Sequence, residues 1–356
     1  MSKEKQVIFW IIGFAVFFIT LNALASMLMP FVAGLAIAYF LDPIADRLER
    51  FGFSRALATT IIILNFFILV IIILILLIPL LQAQIISLVS MLPDLIERIR
   101  LFIQPFVESL QAGLGPEELD QLKLTAGSYG GQAIEWLSGI VSEIWRGGVA
   151  FFNLISLILI TPIVSFYLLR DYDSITEWVD NHLPLSSRST INQQIQLIDE
   201  VIAGFVRGQA SVCLVLMIWY GIALTSIGLN SGLLVGIGAG AISFIPYLGA
   251  ATGIIVGLLI ATIQFTDLTL IFLVGLVFIA GQIAESYILT PRLVGDRIGL
   301  HPVWIIFALL AGGALLGFTG VLLAVPGAAV TGVLTRFALT RYRNSSLLSG
   351  GIKKSD

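Results

Sequence analysis

From Gly208 to Thr266 the chain carries no Asp, Glu, Lys or Arg, and in the middle of that run stands GAISFIPYLGAAT, Gly240 to Thr252. A charge-free run of this length belongs in lipid or in the core of a helical bundle. Pro246 has no backbone N–H and its ring clashes with the preceding turn, so a helix cannot pass it undisturbed. Gly240 and Gly249 flank it. Irregular backbone at membrane depth is tolerated only where protein or a water-filled cavity covers it. The run therefore predicts a broken helix inside a membrane protein.

Composition agrees. The chain is 58% hydrophobic and 12% charged, with a mean hydropathy of +1.02; soluble domains carry about 25% charged residues. The apolar runs are long and continuous, unlike the alternating strands of a barrel, so the fold class is all-α and polytopic. No basic stripe marks nucleic acid as a partner. Cys213 is the single cysteine, which excludes an internal disulfide. Lys3 and Lys5 followed by an apolar stretch and Ala23-Leu24-Ala25 imitate a signal peptide. Apolar sequence resumes at once, and the segment reads as a retained helix.

Six segments can span: 7–28, 30–45, 56–78, 148–169, 208–228 and 268–289. With the N-terminus in the cytoplasm, all but four of the 19 lysines and arginines fall inside, as the positive-inside rule requires. The four exceptions, Arg98, Arg100, Lys123 and Arg146, lie in 79–147. That segment has amphipathic periodicity, through Leu95, Ile99, Phe102, Phe106 and Leu110, and reads as an extracytoplasmic helical cap. The segment 170–207 is a second amphipathic stretch. Thr190 and Gln193 fit a capping box there, and Asp199, Glu200 and Arg207 read as its solvated side.

Crossing arithmetic makes 231–263 leave from outside and return outside. An arm of some 14 residues reaches only ~21 Å, short of a ~30 Å hydrocarbon core. The segment reads as a re-entrant hairpin bent at Ile245-Pro246, with two cramped full spans as the alternative. The segment 301–338 begins and ends inside, with Gly317 and Gly320 bracketing its bend and Pro326 interrupting its return arm. The order span, hairpin from outside, span, hairpin from inside is an inverted-topology repeat. Such paired interruptions point to a transport site; close glycine packing is the competing account. The expected organisation is N-terminal transmembrane helices over 1–78, the cap over 79–147, a transmembrane helix and a cytoplasmic amphipathic helix over 148–207, a transport core over 208–338 and a cytoplasmic tail over 339–356.

The candidate solute-binding or gating residues are Phe244, Pro246, Tyr247, Gly249, Gln282, Glu285, Gly317, Gly320 and Pro326. Glu285 is the one acidic residue between Asp267 and Asp296, with Gln282 a turn earlier on the same face. A membrane carboxylate suggests ion coupling, though Arg292 is near enough to pair with it. His301 could carry protons or simply cap the helix that Pro302 begins. No metal-ligand set, no HExxH and no Gly-rich phosphate loop with Lys occurs, so neither an enzyme, a cofactor protein nor an ATP-driven pump is expected.

Five pieces in order, FLDPIADRLERFGFSRALAT, TPIVSFYLLRDYD, VIAGFVRGQ with GAISFIPYLG, ESYILTPRLVGDRIGLHP and GGALLGFTGVLLAVP, resemble the autoinducer-2 exporter (AI-2E) or PerM-type permease family. The resemblance covers nearly the whole chain. It implies a bacterial inner-membrane protein, a homo-oligomer reported as pentameric, and alternating access for a small polar, furanone-like solute. Other members are described as sodium(lithium)/proton antiporters, so proton or sodium are the implied ionic partners. A non-transporting membrane scaffold built around the cap is the alternative of another class, but a scaffold has no need of broken helices.

Overall fold

The computed structural model describes residues 25–111, 148–295 and 300–343, with scattered positions between 12 and 24. The first span at 7–28 is thus only partly within the described residues. Residues 112–147 of the expected cap, Asp296 and Arg297, and the tail beyond 343 lie outside them. Eight α-helices and one π-helix make up the described fold: α1 (Ala25–Arg50), α2 (Arg55–Gln111), α3 (Gly148–His182), α4 (Arg188–Ser226), α5 (Gly232–Ile242), α6 (Leu248–Gln264), α7 (Leu268–Ala284), the π-helix Glu285–Val294 and α8 (Pro302–Arg343). No strand occurs among the described residues. The protein is an all-α polytopic membrane protein, and among the described residues five helical stretches are long and apolar enough to cross a bilayer.

Several helices run longer than their apolar segments. α2 has 57 residues, about 85 Å at 1.5 Å each, so the span at 56–78 continues through Pro79 into the amphipathic stretch without a break. α4 fuses the amphipathic stretch before Arg207 with the span after it. A change from polar to apolar sequence alters what a helix face meets, not its backbone. Only a genuine breaker stops the helix. α1 likewise starts at Ala25 rather than Pro30 and passes through Pro43. The Thr190–Gln193 capping box is not used. α4 begins at Arg188, and its first turn is held instead by Asp180, which accepts from Arg188 Nε at 2.8 Å and from Asn192 Nδ2.

α5 runs antiparallel along α4 on three glycines one turn apart. A Cβ at Gly232 would lie 2.8 Å from the Leu224 carbonyl carbon, at Gly236 2.6 Å from Gly221 Cα, and at Gly240 2.6 Å from Met217 Cα. Small residues let backbones approach in the absence of a hydrophobic drive between helices. α6 returns against α7, where Gly253 and Gly257 both face the Phe278 ring. Phe278, Tyr220, Leu216, Leu224, Ile260 and Val274 are the centre of the main apolar cluster. A second cluster, including Leu41, Ile62, Ile63 and Leu169, joins α1, α2 and α3.

Candidate functional site

The first hairpin is present and is closed by contact at its tip. α5 ends at Ile242 and α6 begins at Leu248. Tyr247, with φ 70°, is the one non-glycine residue at positive φ among those described. An L side chain in that region costs roughly 1–2 kcal/mol, so the reversal is held by its surroundings. Gly249 supplies them: a Cβ there would overlap Ser243 Oγ and lie 2.6 Å from the Ala239 carbonyl oxygen. The bend denies the last carbonyls of α5 their helical donors. Buried Gln209 on α4 takes one, donating from Nε2 to Ser243 O at 2.6 Å. Phe244 meets Phe205 edge to face, with centroids 5.9 Å apart. Both contacts place the tip within a turn of Arg207, deeper along α4 than the arm-length argument alone would put it.

The second hairpin enters from the opposite end of the bundle. Gly208 lies against Leu293 and Val294, at the end of the π-helix that precedes α8. α8 reverses at Gly317 (φ 59°, ψ −141°), which divides it into arms 302–316 and 318–343. Gly312 and Gly320 meet backbone to backbone across the bend, and Gly313 faces Val321. Gly320 therefore allows the arms to close and Gly317 makes the turn. Pro326 does not interrupt the return arm, which stays helical through it. That arm packs Ala329 and Val333 on Val201 of α4. α8 lies on α4 and α1, while α5 and α6 lie on α4 and α7. The two hairpins thus flank α4 from opposite ends rather than sharing one pocket.

Glu285 is buried and opens the π-helix. π-segments are rare and occur frequently at functional sites. Glu285 has no hydrogen bond or ion pair among the described residues, so Arg292 does not pair with it. Gln282 does not serve it either: its Nε2 donates to Ser286 Oγ at 3.0 Å. One turn before Glu285, Gly281 lies against the fully buried Tyr220, whose hydroxyl is also without a partner among the described residues. His301 acts as a cap, its Nδ1 accepting from Val303 N at 3.3 Å.

A polar network joins α1, α2, α3 and α4 near the tip of the first hairpin. Pro43 leaves the Tyr39 carbonyl without its helical donor, and Arg207 Nε fills that place at 2.7 Å. Arg207 Nη2 also reaches Asp42 at 3.0 Å. Arg55 binds Asp42, Asp46 and Glu49 at 2.9, 2.7 and 3.0 Å. Asp199 accepts from Tyr39 Oη at 2.9 Å and from Tyr172 Oη at 2.6 Å. Burial and that carboxylate raise the Tyr172 hydroxyl above the ordinary tyrosine range, so it stays a donor. Beside the network, α4 and the return arm of α8, with Asp42 of α1, line an open cavity of about 1010 Å³.

Residues 7–339 match the family of AI-2E transporters. The chain belongs to the AI-2E family. YrrI of Bacillus subtilis (strain 168), named as a transport protein, is 29% identical over 312 residues, covering 87% of this chain and 86% of YrrI. PerM of Escherichia coli (strain K12), named as a permease, is 25% identical, with 88% and 87% covered. YhhT of the same strain, named as a transport protein, is 24% identical, with 94% and 91% covered. This AI-2E chain is accordingly a membrane transport protein. Its hairpin residues and Glu285 were legible as candidates in the sequence. Asp199 and Arg207 were read only as a solvated helix face. The signal that could have found Arg207 is Pro43, which frees the carbonyl of the residue four positions before it.

Proposed function

We propose that this AI-2E protein is a secondary transporter that moves a small polar solute across the bacterial inner membrane by alternating access, without ATP. One observation carries the reading: two helical hairpins enter from opposite ends of the bundle, each reversed at a residue with positive φ, and both pack on α4. Broken helices in matching places of two inverted halves are the architecture of alternating-access carriers. A scaffold gains nothing from the backbone strain at Tyr247. In this reading the termini are cytoplasmic and Arg207 lies at the cytoplasmic end. The solute is an exported, autoinducer-2-like molecule, and the chain works as a homo-oligomer.

A second reading, sodium(lithium)/proton antiport, is favoured by Glu285, a buried carboxylate without a cation partner. Such a group inside a membrane is a natural place for a proton or a sodium ion. Flux in liposomes, measured on one preparation with and without a pH or sodium gradient, tests both readings. Glu285→Gln is expected to abolish the gradient response while solute exchange persists. A wild type that carries no solute or ion under any gradient would overturn the transport mechanism. A mutant that responds like the wild type would remove Glu285 from coupling.

A further inference from the structure

The cavity of about 1010 Å³ has one wall from α4 and another from the return arm of α8. Most of the charge around it is already satisfied: Asp42 by Arg55 and Arg207, Asp199 by two tyrosine hydroxyls. Three lining charges have no ion-pair partner among the described residues, Glu200 on α4 and Arg336 and Arg341 on α8. Arg341 is steadied over the Phe337 ring, 5.6 Å from its centroid. Gln193 and Gln194 add amide groups to the α4 wall. No ion pair joins Glu200 to either arginine, although all three line the same cavity.

Two guanidiniums on one wall and a carboxylate on the other complement a molecule that is anionic at one end and cationic at the other. Guanidinium forks match phosphate and carboxylate oxygens two at a time. The volume is at the upper end of small-molecule sites, roughly 300–1,000 Å³, which leaves room for bridging water. We propose that this cavity binds a small soluble zwitterion, its phosphate or carboxylate on Arg336 and Arg341 and its ammonium on Glu200. The site spans α4 and the second hairpin, so an occupant bridges α4 and the return arm of α8 beside their packed contact at Val201. That the bound molecule is cargo rests on the transport reading; the binding itself does not.

O-phosphoethanolamine, inorganic phosphate and ethanolamine separate the whole charge pattern from its halves. Calorimetric titration of the purified full-length protein in a nonionic maltoside detergent should give O-phosphoethanolamine a Kd about tenfold or more below that of either half, the gain of one added charge-assisted contact. Arg336→Gln with Arg341→Gln should reduce its binding to that of ethanolamine. Glu200→Gln should weaken it to that of phosphate while phosphate itself binds as before. Equal binding of the three probes, or no effect of Glu200→Gln, overturns the proposal. The headgroup of phosphatidylethanolamine carries the same chemistry. If nanodiscs containing that lipid abolish O-phosphoethanolamine binding, the occupant is lipid and the soluble zwitterion is overturned; retained binding supports it. Binding without zwitterion flux in liposomes would leave the site and sink its role in transport, whereas flux of other solutes with no binding here would do the reverse.

Discussion

Arg207 Nε donates to the carbonyl oxygen of Tyr39 at 2.7 Å, in the place that the missing N–H of Pro43 leaves open. The contact ties α4 to α1 at the depth where the first hairpin turns. Arg207→Lys keeps the charge on Asp42 but loses the fork, and should lower stability by about 1.5–3 kcal/mol, the range for a hydrogen bond involving a charged group. Pro43→Ala restores the helical donor to Tyr39. In that background Arg207→Lys should cost less by about 0.5–1 kcal/mol, read as the coupling in a double-mutant cycle of thermal unfolding. Additive costs would mean that the carbonyl contact contributes nothing.

The hairpin closures predict a sharp contrast among glycines. A Cβ at Gly249 overlaps Ser243 Oγ, and one at Gly320 overlaps the Gly312 carbonyl oxygen; Gly238 and Gly327 have nothing within 4 Å. Gly249→Ala and Gly320→Ala should each destabilise by about 1–3 kcal/mol and reduce flux. Gly238→Ala and Gly327→Ala should leave both unchanged. Melting and flux of the four purified variants check this, and four similar variants would argue against tightly closed hairpins.

Tyr247 is exposed and sits at φ 70°. Tyr247→Gly relieves an arrangement that costs roughly 1–2 kcal/mol, offset in part by the greater freedom of glycine in the unfolded chain. Its melting temperature should equal or exceed that of the wild type, and Tyr247→Val should fall below it. A loss in the glycine variant would mean that the ring, not the backbone, holds the turn.

Asp180 is held at a pKa of about 2 by hydrogen bonds from Arg188 and Asn192. Its folded value lies below the unfolded value of about 3.9. Its contribution is therefore complete above that unfolded value and is lost as the pH falls toward 2. The protection of backbone amides in the first turn of α4, taken relative to their intrinsic exchange rates, should fall between pH 4 and 2, and Arg188→Gln should remove that dependence. An unchanged profile in the variant would detach the effect from this pair.

The hairpins were legible because lipid makes backbone accounting strict. A proline or a glycine cluster in a charge-free run has few explanations, and Pro246, Gly249, Gly317 and Gly320 all fall at or against a bend. Helix ends were less legible. Pro30, Pro43 and Pro326 look like the proline at the hairpin tip, yet each lies inside a continuous helix. At Pro43 the freed carbonyl is covered by Arg207, and a partner that distant in sequence leaves no local mark. For the same reason the tyrosines that meet on Asp199 could not be paired from their spacing. The π-helix Glu285–Val294 does hold a proline, Pro291, but a proline alone does not distinguish a widened helix turn from the continuous helices around Pro30 and Pro43.

α2 is fastened at two heights. Arg55 binds Asp42, which also holds Arg207, and Gln84 Oε1 accepts from Leu234 N in the first turn of α5, where Gly232 lies against Leu224. Between those two heights α4 runs from Arg207 to Leu224, a rise of ~26 Å, whereas α2 runs from Arg55 to Gln84, ~44 Å of helix. The longer path fits only on a slant. α2 is therefore a diagonal brace laid across the lipid-facing flank, from the foot of α1 and α3 to the root of the first hairpin. Any sliding of that hairpin along α4 has to change the angle of the brace, and the length of α2 beyond Gln84 sweeps an arc as it does.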